Sequence, residues 1–140
     1  MPVDERDKKI LEMLMRNARI PKVRIAEELG VTEAAVRKRI SRLEESGIIV
    51  GYRAVVDFKK SEMVASLTGV DVEPEALWRV IRSLRNIENV ASLWLTTGDH
   101  ALMMEIFANS TEELSRIHDE ISEIPGVLRV CPSIILEVIK

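Results

Sequence analysis

The chain has 140 residues, with no glutamine, a single cysteine and two histidines. One cysteine, Cys131, excludes an intrachain disulfide. With only His100 and His118 beside it, the repeated Cys/His spacing of a structural zinc site is also absent. A bilayer crossing needs about 20 consecutive, mostly apolar residues, and no stretch here approaches that. Residues 1–12 are mostly charged, so no secretory leader is expected there. The chain is expected to be soluble and cytoplasmic. No Ser-His-Asp set, glycine-rich phosphate loop or metal cluster is visible, so no catalytic residue, metal ligand or cofactor is expected. The missing glutamine, alongside abundant Glu, Lys and Arg, is a bias of proteins that work at high temperature.

What the chain does have is charge of opposite sign in its two halves. Residues 1–60 hold 14 Lys and Arg against 10 Asp and Glu, a net of +4. Residues 61–140 hold 6 against 13, a net of −7. Such a split points to a polyanion as partner of the first half alone. Small domains also vary in charge without consequence, so the pattern along the chain has to decide.

Residues 20–47, IPKVRIAEELGVTEAAVRKRISRLEESG, carry the strongest pattern. They read as helix, sharp turn, helix. Ala26 is small enough for a second helix to cross closely, and Gly30 can take the positive φ that a short turn between crossed helices needs. Val36, Ile40 and Leu43 recur at i, i+4 and i+7 and share one face of the second helix. Its outer side carries Arg37, Lys38 and Arg42. Ahead of this unit, Asp4 can cap a helix over 5–17, with Ile10, Leu11 and Leu14 inward. Pro21 suits the first position of the helix ending at Leu29, Thr32 caps the next, and Gly47 closes it. The run IIVGYRAVVDF, 48–58, is rich in β-branched and aromatic residues and reads as strand and wing. The domain boundary is expected after Lys60: 1–60 as a helix-turn-helix DNA-binding domain with a wing or hinge strand, 61–140 as a second domain.

The second half alternates strands and helices. Strands are expected over 63–72, 90–97, 100–108 and 127–140. A helix is expected over 74–87, with Leu77, Val80, Ile81 and Leu84 as its apolar stripe. A second follows Ser110, whose S-x-x-E run to Glu113 reads as a capping box, with Leu114, Ile117, Ile121 and Ile124 inward. Gly98-Asp99 reads as a tight two-residue hairpin turn. The order βαββαβ is the ferredoxin-like split βαβ plan, giving an α+β chain: a winged helix-turn-helix domain, then a ferredoxin-like domain. Both helices of that plan lie on one face of the sheet. Leu102, Met104 and Ile106 alternate with Met103 and Phe107, so the sheet reads as apolar on both faces. A sheet of that kind needs a second layer, and a second copy is the simplest one; a homodimer is expected.

In this order, Asp4 and Asp7 before Ile10-Leu11, the helix-turn-helix, Arg42-Leu43-Glu44, Gly47-Ile48-Ile49-Val50-Gly51-Tyr52, and the βαββαβ half with Gly98-Asp99 resemble the leucine-responsive regulator/AsnC (Lrp/AsnC, feast/famine) family of transcription factors. The resemblance covers essentially the whole chain. It implies double-stranded DNA as partner, and a second half (the RAM domain) that binds an effector and oligomerises. It further implies dimers with paired sheets, assembling into tetramers or octamers, and a small-molecule effector, commonly an amino acid, near Gly98, Asp99 and His100. Three positions depart from the family pattern: Ala101, Val130 and Pro132 replace groups that contact an amino-acid effector in many members.

On the third helix, Ala34, Arg37, Lys38, Ser41 and Arg42 are the expected DNA contacts, because the N-terminal part of a recognition helix reaches base edges. An Arg there can bond guanine bidentately, and an Ala can sit against a thymine methyl. The alternative is a solvated basic face. Arg39 leans toward the core flank as an internal ion-pair partner. Arg53 is a phosphate contact or a solvated strand residue. Asp99 is an effector contact or simply a polar residue at a hairpin tip. His100 is a ligand donor, a pH-sensitive group or an ordinary strand histidine, and His118 is expected to face solvent. Trp78 and Trp94 are expected as core or interface anchors, Cys131 as a small buried residue, and Pro132 at an edge or bulge. Two other functions fit the fold: a tetrapyrrole (sirohaem) decarboxylase-like enzyme, which needs His and Arg in a roomy pocket, and an assembly protein without DNA affinity.

Overall fold

The computed structural model describes residues 2–140. The chain forms two compact units, dividing between Ala54 and Val55.

The first unit is three helices: α1 (Glu5–Arg16), α2 (Lys22–Leu29) and α3 (Glu33–Glu45). Asp4 caps α1 through a complete capping box. The Asp7 N–H donates to Asp4 Oδ1 at 2.8 Å, and the Asp4 N–H donates to Asp7 Oδ2 at 3.2 Å. Pro21 is the N-cap of α2, one position before the expected one. Ile10, Ile25, Ala26, Val36, Ile40 and Leu43 form the buried core. The expected strand over 48–58 does not form: Ile48–Asp57 contains no strand. Propensity alone makes no strand without a neighbouring backbone to bond.

The second unit opens with a one-turn helix, α4 (Phe58–Ser61), and continues as β1 (Val64–Val72), α5 (Leu77–Arg85), β2 (Val90–Leu95), β3 (Leu102–Ala108), α6 (Thr111–Ser122) and β4 (Val127–Ile134). Pro74–Ala76 is a 3-10 turn entering α5, so the expected helix is shorter and begins tighter. The sheet is antiparallel in the order β2-β3-β1-β4, the ferredoxin-like arrangement. Pro132 lies on β4, an edge strand, where its missing N–H breaks no ladder.

Helices α5 and α6 pack Val80, Leu84, Leu114, Ile117 and Ile121 against Val70, Leu102, Met104 and Ile106 of the sheet. The capping box at α6 is only half made. Ser110 Oγ accepts from the Glu113 N–H at 3.1 Å, while the Glu113 carboxylate accepts from the Asn109 N–H at 3.0 Å rather than from Ser110. Its other oxygen is bonded by Asn89 of the loop before β2 at 3.2 Å, which draws the carboxylate aside.

The opposite face of the sheet follows from the register. Leu67, Gly69 and Asp71 of β1 lie beside Met103 and Glu105 of β3, Trp94 of β2, and Cys131 and Ser133 of β4. This face is mixed rather than wholly apolar, though Leu67 is 45% and Trp94 49% exposed. Neither tryptophan is a core anchor, since Trp78 on α5 is 66% exposed. The C-terminal strand ends at Ile134, six residues before the expected end.

Candidate nucleic-acid interface and ligand loop

Three local features place α3. Thr32 Oγ1 accepts from the Ala35 N–H at 3.1 Å and satisfies an orphan donor of its first turn. Gly30 ends α2 with φ 66°, which turns the chain sharply into Val31 and Thr32. The Val31 N–H then closes back on Ala26 O at 3.1 Å. Val36, Ile40 and Leu43 are 0, 5 and 4% exposed, so the rotation of α3 about its axis is set by the core.

Arg39 ties α3 to the start of α1. Its Nη1 donates to both Asp4 oxygens, at 2.9 and 2.7 Å, and to Asp7 Oδ1 at 2.9 Å. The Arg39 hydrogen bond holds the Asp4 carboxyl below its ordinary value, and the two carboxylates raise the Arg39 guanidinium above its own. The expected internal ion pair is therefore present, with the α1 capping box as its partner.

With that rotation fixed, Ala34, Arg37, Lys38 and Ser41 are exposed together and Arg42 is half-buried at their flank. Arg37 is held by Glu33, one turn earlier. A surface pair of this spacing contributes about 0.3–0.5 kcal/mol, little against a bidentate base contact. The arrangement is a cationic strip on a rigid helix. Tyr52, in the extended segment after α3, reaches back to Glu44; burial and that carboxylate raise its hydroxyl above the ordinary value.

In the second unit the expected two-residue turn at Gly98-Asp99 is a longer loop. β2 ends at Leu95 and β3 begins at Leu102. Thr96 closes the loop: its N–H donates to Ala101 O at 2.8 Å and its Oγ1 to His100 O at 2.7 Å. Gly98 does not take the positive φ that a two-residue turn beginning with glycine requires. Gly98 and Asp99 are exposed on this loop. His100 is set apart from them, its Nδ1 2.8 Å from Asp71 Oδ1 on β1. Cys131, which is half-buried, and Arg129 complete this group from β4, with Arg129 Nε donating to Cys131 Sγ at 3.0 Å.

His118 does not face solvent. Its Nε2 lies 3.0 Å from both Ser66 Oγ and Thr68 Oγ1, two fully buried hydroxyls that also bond each other at 2.9 Å. Burial lowers its pKa below the ordinary 6.5.

Two family models match. Residues 3–50 match a winged helix-turn-helix DNA-binding domain, and residues 66–140 match the Lrp/AsnC ligand binding domain. The chain belongs to the Lrp/AsnC family. It is 47% identical over 140 residues to the HTH-type transcriptional regulator LrpA of Pyrococcus horikoshii, covering 99% of both chains. Identity to LrpA1 of Halobacterium salinarum is 37% over 142 residues, covering the whole of both. Among solved structures, the Neisseria meningitidis transcriptional regulator NMB0573, described as a complex with L-Met, shares the fold. It aligns with a TM-score of 0.69 at 24% identity, covering 99% of this chain and 93% of that one. As an Lrp/AsnC member the chain is a DNA-binding transcription regulator, with a second domain of the ligand-binding type. Among the described residues, no helix is long and apolar enough to cross a membrane.

The helix-turn-helix was legible from spacing alone. The Asp71–His100–Cys131 group was missed because its members are far apart in sequence. Strand parity offered a signal: Asp71 and Gly69 share a face of β1, and Cys131 lies opposite Gly69.

Proposed function

We propose that this Lrp/AsnC regulator reads double-stranded DNA with Ala34, Arg37, Lys38, Ser41 and Arg42 of α3, seated in the major groove. The observation that carries the reading is the common exposure of Ala34, Arg37, Lys38 and Ser41, with Arg42 at their flank, on a helix whose opposite face is the core and whose middle is tied to α1 by Arg39. Arg37 is the base reader and Lys38 the phosphate contact, since bidentate geometry suits guanine and a point charge suits phosphate. Thr32 leaves the first turn of α3 well ordered, the part that a groove reader presents to bases.

Two recognition helices are delivered together when two copies pair through the mixed face of the sheet. Leu67 and Trp94 on that face supply apolar area, and Glu105, Ser92 and Ser133 supply its polar component. Dimers assemble further, to tetramers or octamers, and bridge adjacent half-sites with a gain in avidity. A small ligand taken up at the loop of Gly98, Asp99 and His100 favours one assembly over another and so shifts DNA affinity.

The relatives are named as regulators, and the regulator reading is preferred to the decarboxylase-like alternative on the strength of the α3 surface. A mobility shift with the full chain and its own upstream DNA tests it. Retarded complexes that weaken for Arg37→Ala and Lys38→Ala support the assignment. Complexes unaffected by both substitutions refer DNA binding to another surface.

A further inference from the structure

We infer that Asp71, His100 and Cys131 form a binding site for a divalent transition metal ion of the zinc class, and that this ion is the effector of the ligand-binding domain. The effector role rests on the regulator reading; the site itself does not. The three side chains come from β1, the β2–β3 loop and β4, and one ligand atom from each lies within 4.8 Å of the other two. A carboxylate, an imidazole and a thiolate are a donor set for zinc, cobalt or nickel and are wrong for magnesium or calcium, which take oxygen alone. In the single chain all three are half-buried, Asp71 and Cys131 on sheet strands and His100 on the loop beside them. Three protein donors leave a tetrahedral ion one position for water.

The backbone beneath is shaped for His100. Gly69 lies in the middle of β1, where glycine weakens a strand. A Cβ placed there falls 2.2 Å from His100 Cδ2 and 2.4 Å from Cγ. Only glycine lets the ring rest against the strand between Asp71 and Cys131. Asp71 fixes the ring through the 2.8 Å contact at Nδ1. Arg129 lies beside two of the donors, with Nε 3.0 Å from Cys131 Sγ and 3.7 Å from Asp71 Oδ2. Its side chain is 71% exposed, so it can leave when a cation arrives. Binding then releases the thiol proton to solvent, and the thiolate and carboxylate offset the charge of the ion.

Cobalt titration of the full-length protein, stripped of metal with a chelator, tests the site without DNA. One cobalt per chain, with a thiolate-to-cobalt charge-transfer band that zinc abolishes, is the expected result. Cys131→Ser should lose the band. His100→Ala and Asp71→Asn should weaken cobalt binding by about tenfold or more. Gly69→Ala keeps all three donors but displaces the ring, and should weaken binding by a similar factor with an unchanged circular dichroism spectrum. No thiolate band in the parent protein, or undiminished binding in Gly69→Ala, overturns the site. A mobility shift with and without zinc reads the effector role separately. A zinc-dependent change in DNA affinity that Cys131→Ser loses supports it; no change, or one that survives Cys131→Ser, overturns it. A protein that binds cobalt in this way yet ignores DNA refutes the regulator reading and the effector role, and leaves the site standing.

Discussion

Replacing His118 tests how well the second domain is understood as a physical object. In the native fold its Nε2 meets two buried hydroxyls, Ser66 and Thr68, each at 3.0 Å. His118→Ala removes both contacts. The hydroxyls keep their 2.9 Å bond to each other, so neither is left wholly unsatisfied. Nε2 offers one hydrogen or one lone pair, so the two contacts share a single hydrogen bond, and its loss gives an expected destabilisation of about 0.5–1.5 kcal/mol. The same histidine makes stability depend on pH. Its folded pKa lies below the ordinary 6.5, because burial disfavours the charged ring. Between the folded and unfolded values the unfolded chain binds more protons, so protonation favours unfolding. The contribution is therefore intact above 6.5 and is lost as pH falls from there through the folded pKa. Trp78 and Trp94 both belong to the second unit, so urea unfolding followed by tryptophan fluorescence reads that unit alone. Stability of the parent should fall between pH 7.5 and pH 5.5, roughly the range over which an ordinary histidine titrates. His118→Ala should be weaker at pH 7.5 and flatter across the range. His118→Gln, whose amide can bond the hydroxyls without titrating, should recover part of the stability and stay flat. A pH slope unchanged in both variants would refute the reasoning.

Other outcomes follow from the same contacts. Arg37→Ala should lower affinity for a preferred DNA site by about 1–3 kcal/mol and relax specificity at one base position, measured by binding to a set of single-base variants. Arg39→Ala should lower the helical melting temperature and weaken DNA binding without touching DNA, since it releases α3 from Asp4 and Asp7. Because the Asp4 carboxyl is held below its ordinary 3.8, that tie should persist down to that value and be lost as pH falls through the folded pKa, followed by circular dichroism. Leu67→Glu places a charge on the mixed sheet face and should shift the protein toward monomers in light scattering; an unchanged mass would put the dimer interface elsewhere.

The parts that were legible in the sequence were those with local physics behind them. Asp4, Thr32 and Ser110 each cap the helix expected of them, and the inward stripe of Val36, Ile40 and Leu43 is buried as its spacing required. The βαββαβ order followed from alternation and turn residues. What was misread depended on contacts that residue type alone does not announce. Residues 48–57 have strand propensity but no neighbouring strand. Gly98-Asp99 has the composition of a two-residue turn, yet Thr96 bonds across to Ala101 and makes the loop longer. His118 sits on an amphipathic helix where a polar face was expected, and nothing in the helix announces two hydroxyls on a strand some 50 positions earlier. His100 reads as a ligand donor or an ordinary strand histidine, and its neighbours Asp71 and Cys131 emerge only once the strand register is known.

The central claim is that the cationic strip of α3 lies against DNA phosphate and bases. It is tested most directly by the salt dependence of DNA affinity for the parent protein and Lys38→Ala. Each phosphate neutralised adds about 0.9 to the magnitude of the slope of log affinity against log salt. The parent is expected to show a steep slope, with Lys38→Ala shallower by about 1 for each copy engaged and weakened alike on all sequences. An identical slope for the two proteins would contradict the account.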